Sequence, residues 1–356
     1  MALRTTFKKG LACLTTLFLI ANPVLAQTTP QTKPLNIDYA IEMGINMDTK
    51  LPEYTRNIQK YEALKSDPIS ISSLEYQQYL VYIDQYETAK KYRKDTVAAD
   101  VLESYQNYIL LQQNIALCTS QISLQEKILK QYAIKLKNGM CDQLTYDKQA
   151  QTLQDLKEQQ DTNQKNLASL KASFLRLTNL NLDTYTLEPD YTYEAFDLGK
   201  TSTAYATGVA SELIKYQKRL AELSDSHFWD SIYTSGPDGT APNYSTYVTG
   251  KLNVADALAL VDSNYTNYKA LIENQYTKTS TDLNDITVKK AAYEAAQADL
   301  KPLEIKYKAG YVSALDYETQ LVTVESKRIQ YLSSIYSYNV NKFLLEHPWS
   351  MASFAY

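Results

Sequence analysis

Apolar positions recur every seven residues over long tracts of this chain. Tyr108, Ile115, Ile122, Leu129 and Leu136 form one row, with Leu111, Cys118 and Tyr132 on a row beside it. Ile286, Tyr293, Leu300 and Tyr307 form a second series later in the chain. A spacing held at seven predicts long helices lying against partner helices as coiled coils. The later series is the earlier one shifted by 171 residues, so two parts of the chain share one register. Breakers follow the same division. No glycine or proline falls between Pro68 and Gly139, none in residues 140–188, none in 251–301 and none in 311–347. Ala, Leu, Gln, Glu, Lys and Tyr fill these tracts, which suits helices far longer than the globular mean of about 11 residues.

Each long tract ends on the same motif. IKLKNGMCDQLTYDKQ at 134–149 returns as IKYKAGYVSALDYETQ at 305–320, with Ile134/Ile305, Lys135/Lys306, Lys137/Lys308, Gly139/Gly310, Leu144/Leu315, Tyr146/Tyr317 and Gln149/Gln320 identical. A glycine closes a helix where a left-handed residue costs least. The apolar rows then resume at Leu153, Leu167 and Phe174 and at Val324, Tyr338 and Leu345. Rows on both sides of a glycine predict two helices folding back antiparallel, with the motif at the tip of the hairpin. Upstream, Ile58-Gln59-Lys60 and Ala63 align with Tyr216-Gln217-Lys218 and Ala221 at an offset of 158, so about 13 residues have been added between the shorter helices and the long ones. The expected organisation is a first repeat at 27–182, a linker at 183–203, a second repeat at 204–347 and a tail at 348–356. The fold class is all-α, with at most one short β-hairpin.

A duplicated unit of short helix, connector, long helix, glycine tip and long helix resembles the outer-membrane efflux protein (TolC) family. The residues that carry the resemblance best are YKAGYVSALDYETQLVTVESKRIQYLSSIYSYNVNKFLLEH at 307–347, with a weaker partner at 132–180. The resemblance implies a homotrimer whose helices close a tunnel, an α-helical barrel with four helical strands from each subunit. It further implies tips that meet an efflux adaptor or inner-membrane pump, and connectors that supply strands to an outer-membrane β-barrel. A helix of roughly 67 residues would be about 100 Å long.

The connectors depart from that pattern. A membrane-spanning strand needs about 9 to 11 alternating residues, and SDPISIS at 66–72 offers only Ile69 and Ile71 around a proline. The second connector offers one hairpin, with arms at 228–234 and 244–248 around Gly236-Pro237-Asp238-Gly239. The expected β-barrel is therefore reduced or missing. Pro302 is a second departure, predicted to kink the long helix before Gly310.

Composition narrows the function. Arg4, Lys8 and Lys9 precede an apolar run from Leu11 to Ala21 and a Val24-Leu25-Ala26 site, which reads as a secretory signal peptide over residues 1–26 and places the chain in the cell envelope. An uncleaved anchor is the alternative reading, although the run is short for a spanning helix. Without that leader 33 Lys and Arg face 40 Asp and Glu, and a mildly acidic chain is a poor partner for nucleic acid. Cys118 and Cys141 are too few for a disulfide framework. The 31 tyrosines, many at helical spacing such as Tyr76, Tyr79, Tyr82 and Tyr86, read as packing residues on half-wet helices. His227 and His347 stand apart, and no nucleophile elbow, phosphate loop or metal-ligand spacing is present, so neither an enzyme nor a cofactor is expected.

The candidate site is the pair of tips. Gly139, Leu144, Tyr146, Gly310, Leu315 and Tyr317 are expected to dock a partner, although Leu144 and Leu315 fit packing inside their own hairpins equally well. Asp142, Asp147, Asp316 and Glu318 lie just past the glycines. They read either as a ring of carboxylates at a tunnel end, unless paired with Lys148 or Lys308, or as ordinary acids at helix N-termini. The sequence thus points to a conduit component of an efflux or export system. A non-conducting coiled-coil scaffold of the envelope is the alternative, and an adaptor is disfavoured by the absence of lipoyl-like half-motifs.

Overall fold

The computed structural model describes residues 33–66, 72–229 and 244–351. The signal-peptide reading, most of SDPISIS and the first arm of the expected hairpin beyond residue 229 lie outside them. Seven α-helices lie among the described residues: α1 (Ile37–Met47), α2 (Lys50–Lys65), α3 (Ser73–Lys137), α4 (Gln143–Thr178), α5 (Ser202–Ser226), α6 (Tyr244–Lys308) and α7 (Ala314–Glu346). Helices α3 and α6 each contain 65 residues and correspond from first residue to last at the offset of 171. At 1.5 Å per residue each is about 98 Å long. Residues 244–248, the second arm of the expected hairpin, are the first turn of α6 and not a strand. Their alternation of polar and aromatic positions suits a half-exposed helix as well as a strand, and the helix that follows decides between them. Pro302 does not end α6, which continues to Lys308.

The long helices form a wall one helix thick. α3 folds back on α4, α6 folds back on α7, and α3 lies beside α7, giving the order α4, α3, α7, α6. Lys127 of α3 meets Glu318 of α7 at 2.6 Å, which brings the end of one long helix to the start of the other repeat's return helix. Both tips therefore lie at the same end of the wall. The shorter helices α2 and α5 pack on α3 and α6 respectively. The seven-residue rows are half-buried towards the tips, and the deepest positions there are Leu117 and Leu124 with Cys118 and Gln125 beside them, again seven apart. Partial burial is what a wall of this thickness dictates, because each helix has neighbours on two sides only.

The main core sits in the middle of the wall. Val97, Val101, Tyr108 and Ile109 of α3, Phe174 of α4, Ile286 of α6 and Leu332, Ile335 and Tyr338 of α7 are buried there beneath α1 and the linker. Helix α1 comes close because Gly44 has no side chain: a Cβ at that position would lie 2.9 Å from Val101 Cγ2. Two residues of β1 (Lys33–Pro34) pair in parallel with β2 (Tyr185–Thr186), tying the start of the described chain to the linker. The linker is then strapped to α7 by tyrosines. Tyr336 Oη accepts from Asp190 N at 3.0 Å, and Tyr338 Oη accepts from Phe196 N at 2.9 Å and donates to Glu194 O at 2.7 Å. Tyr105 and Tyr205 likewise donate to the carbonyls of Leu35 and Leu345 at 2.9 and 2.6 Å. In these four tyrosines the ring packs inside while the hydroxyl bonds a backbone group.

Candidate functional site

The two tips are built alike, atom by atom. Gly139 and Gly310 have φ of +69° and +80°, the left-handed region that a side chain disfavours. In the first tip Gly139 N donates to Leu136 O at 3.0 Å and Met140 N to Lys135 O at 2.7 Å. In the second, Gly310 N donates to Tyr307 O at 3.0 Å and Tyr311 N to Lys306 O at 2.8 Å. This pair of bonds is the Schellman closure, which satisfies carbonyls that the helix end leaves open. The return helices then start three residues on, where Asp142 accepts from Thr145 N at 2.7 Å and Ser313 accepts from Asp316 N at 3.1 Å. One N-cap is a carboxylate and the other a hydroxyl, and both stop the same orphan donor from being left bare.

The four acids are accounted for within the single chain. Hydrogen bonds from the Thr145 hydroxyl and amide hold the Asp142 carboxyl below its usual range. Asp316 sits in the first turn of α7 and accepts from the Ser313 hydroxyl at 2.7 Å. Asp147 accepts from Gln143 Nε2 at 2.7 Å. Glu318 is held by Lys127, not by Lys148 or Lys308, and Lys308 pairs instead with Glu304 at 2.6 Å. The Lys127–Glu318 contact joins the two repeats just above the tips.

The apolar tip residues divide. Leu144 is 63% exposed, whereas its counterpart Leu315 is half-buried. Tyr146 is half-buried, and Tyr317 is buried, stacked on Tyr307 with ring centroids 4.7 Å apart and planes 6° from parallel. Tyr317 is thus a closure of its own hairpin. Four further residues complete the exposed apolar surface: Met140 at 74% and Tyr311 at 84%, which are counterparts, and the identical pair Ile134 and Ile305. The sequence carried a signal for them, since all four fall inside the repeated sixteen-residue motif. The expectation centred on positions several residues after the glycine, whereas Met140 and Tyr311 follow it directly and Ile134 and Ile305 precede it.

Below the tips, a glutamine is repeated as a strut. Gln125 Nε2 donates to Gln149 O and Oε1 at 3.0 and 2.9 Å in the first hairpin, and Gln320 Nε2 donates to Ala296 O at 3.4 Å at the equivalent place in the second. Cys118 is buried, with Asn163 Nδ2 at 3.8 Å from its sulfur, and Cys141 lies at the tip with its thiol towards Tyr132 O. Among the described residues there is no group of three or more His, Cys, Asp and Glu side chains able to hold a metal ion, and no helix long and apolar enough to cross a membrane.

Neither the protein-family models nor the curated proteins contain a match to this sequence. Solved structures do match the fold. A membrane protein from Pseudomonas aeruginosa superposes with a TM-score of 0.59 at 11% identity, over 93% of this chain and 99% of that one. The Campylobacter jejuni CmeC outer membrane channel gives 0.57 at 12% identity, over 88% of this chain and 85% of that one. The Neisseria gonorrhoeae MtrE outer membrane channel, in its open state, gives 0.57 at 12% identity over 88% of both chains. The TolC-like fold expected from the repeated tips is the fold found.

Proposed function

We propose that this protein is a conduit component of an efflux or export system in the cell envelope, without chemistry of its own, working as a homotrimer. The observation that carries this reading is the placement of two equivalent tips at one end of a wall about 98 Å long, each with exposed apolar residues where its own hairpin has no use for them. These tips are the docking surface for an adaptor or inner-membrane pump. The outer edges of the wall, α4 and α6, support trimer formation, because a sheet of four helices closes on itself only when further copies supply neighbours. Its structural neighbours are outer membrane channels, which favours transport over catalysis. Analytical ultracentrifugation of the purified protein tests the assembly: a trimer is expected, and a stable compact monomer would remove the tunnel.

The alternative is a scaffold of the envelope that keeps the helical wall and conducts nothing. One observation favours it. Helix α2 ends at Lys65 and α3 begins at Ser73, leaving seven residues between them, fewer than the roughly nine to eleven of one membrane-spanning strand. Planar-bilayer recording bears on both: steady single-channel conductance would establish a pore formed by this protein and remove the scaffold reading, and its absence in a stable trimer would favour the scaffold.

A further inference from the structure

The middle of the wall holds a polar groove on the face turned away from the linker. Tyr338 Oη accepts from Phe196 N and Asn339 Nδ2 donates to Thr192 O, so that side of α7 meets the linker. Each residue advances a helix by about 100°, which puts Ser333 and Ser337 about half a turn round α7 from those two. The serines floor a cavity of about 240 Å³ between α3, α7 and α6. Glu103, Gln106 and Asn107 of α3 line it on one side, and Lys278 of α6 lines it on the other. Gln106 is the informative side chain. It is 7% exposed, and its Oε1 has no hydrogen-bond partner among the described residues. A buried acceptor without a donor works against the fold. The nearby donors do not relieve it, because Asn341 Nδ2 and Ser337 Oγ are engaged with Asp282 Oδ2 at 2.6 and 3.2 Å.

The charges beside Gln106 are open as well. Glu103 lies one turn before it on the same face of α3, and neither Glu103 nor Lys278 forms a salt bridge among the described residues. Packed helices lie about 8–10 Å apart, so α3 and α6, on opposite sides of α7, stand up to about 20 Å apart. Two opposite charges thus share one groove without meeting. We infer that this groove binds a small zwitterion of the free amino acid class, its ammonium between Glu103 and Gln106 Oε1 and its carboxylate towards Lys278. An ammonium supplies the donor that Gln106 needs and the charge that Glu103 complements. A simple cation would leave Lys278 without a counter-charge, and a simple anion would leave both Gln106 and Glu103 unanswered. Size agrees, since sites for drug-sized ligands span about 300–1,000 Å³ and this one is smaller. Every residue of the site comes from one chain, so the inference rests on neither conduction nor trimer formation.

Isothermal titration calorimetry of the purified protein tests this with glycine, L-serine and 4-aminobutanoate. Ethanolamine, propanoate and glycerol serve as controls, each carrying part of the chemistry. At least one zwitterion is expected to bind saturably, and at least about tenfold more tightly than every control. Glu103→Gln and Lys278→Met should each weaken that binding about tenfold at an unchanged melting temperature, because both side chains are exposed. Gln106→Leu removes the unpartnered acceptor and should weaken binding while the melting temperature holds or rises. The two surface variants keep the test decisive if Gln106→Leu fails to fold. Absence of saturable binding by all three zwitterions, a control that binds as tightly, or binding indifferent to Glu103→Gln or to Lys278→Met would each overturn the inference. So would a crystal structure grown with the bound probe that shows only ordered water on Gln106 Oε1.

Discussion

Replacing Leu144 and Leu315 by serine separates a docking surface from a folding device. The two leucines are equivalent by sequence, yet their surroundings differ, and the expected losses follow from that difference. Leu144 is 63% exposed in the first turn of α4, so Leu144→Ser should change stability by no more than about 0.5 kcal/mol. Leu315 is half-buried against its hairpin. Full burial of a leucine is worth about 1.5–3 kcal/mol, so Leu315→Ser should cost about 1 kcal/mol. Ile286→Ala supplies the scale, because Ile286 is fully buried and its truncation should cost about 2–5 kcal/mol. Urea denaturation reads all three as shifts of midpoint at constant slope. In native envelopes, a photo-crosslinker at position 140 then reports capture of a partner. Docking predicts loss of crosslinking in Leu144→Ser with its stability intact. Retained crosslinking in both serine variants would refute docking through these residues. A loss above about 2 kcal/mol at Leu144 would show that it is core in the assembled protein, and the scaffold reading would then lead.

Other consequences are open to measurement. In the folded protein Cys141 should react with a maleimide within minutes while Cys118 stays protected, because one lies at the tip and the other is buried about 30 Å along α3; a Cys118–Cys141 disulfide found by mass spectrometry would contradict the hairpin. Burial raises Tyr336 and Tyr205 to about 12 from an ordinary 10, with Glu346 adding to the rise at Tyr205. A raised folded value means the stabilisation is whole below pH 10 and is lost as pH climbs from 10 to 12, so the melting temperature should fall across that window, and less steeply in Tyr205→Phe. Gln275 donates to Asn341 O and Oδ1 at 3.0 and 3.1 Å inside the second hairpin, where Thr279 also donates to Asn341 O at 3.2 Å. Asn341→Ala keeps the main-chain acceptor of Gln275 but removes the Oδ1 acceptor and the 2.6 Å donation to Asp282 Oδ2, and should cost about 1–3 kcal/mol by thermal denaturation.

The duplication made much of this fold legible. Gly139 and Gly310 marked the tips, the rows at Tyr108 to Leu136 and Ile286 to Tyr307 gave the long helices, and both follow from local rules on left-handed residues and seven-residue spacing. What stayed hidden depended on which neighbour a side chain meets. Lys127 lies 191 residues from Glu318 along the chain, and nothing local pairs them. Leu144 and Leu315 looked alike because sequence reports a residue's type and position, while exposure depends on what packs around it. Residues 244–248 read as a strand arm because five residues of mixed polarity fit either period; the sixty that follow make them a helix.

The two offsets, 171 over the long hairpins and 158 over the shorter helices, have a mechanical meaning. Adding one residue to a helix lengthens it by about 1.5 Å and turns everything beyond it by about 100°, so a single insertion in α6 would rotate its buried row away from α7. The 13 residues that distinguish the repeats would raise one tip about 20 Å above the other if they lay within a long helix. They lie upstream instead, between the shorter helices and the first residues of α3 and α6, where a connector absorbs length without passing on rotation. From their equivalent residues Ser73 and Tyr244 to their ends at Lys137 and Lys308, α3 and α6 run the same 65 residues, which brings both tips to one level beside the Lys127–Glu318 contact. Two level tips form a surface that a single partner face could meet at once, so the docking reading proposed above would account for a register kept to the residue, as the packing of either hairpin alone would not.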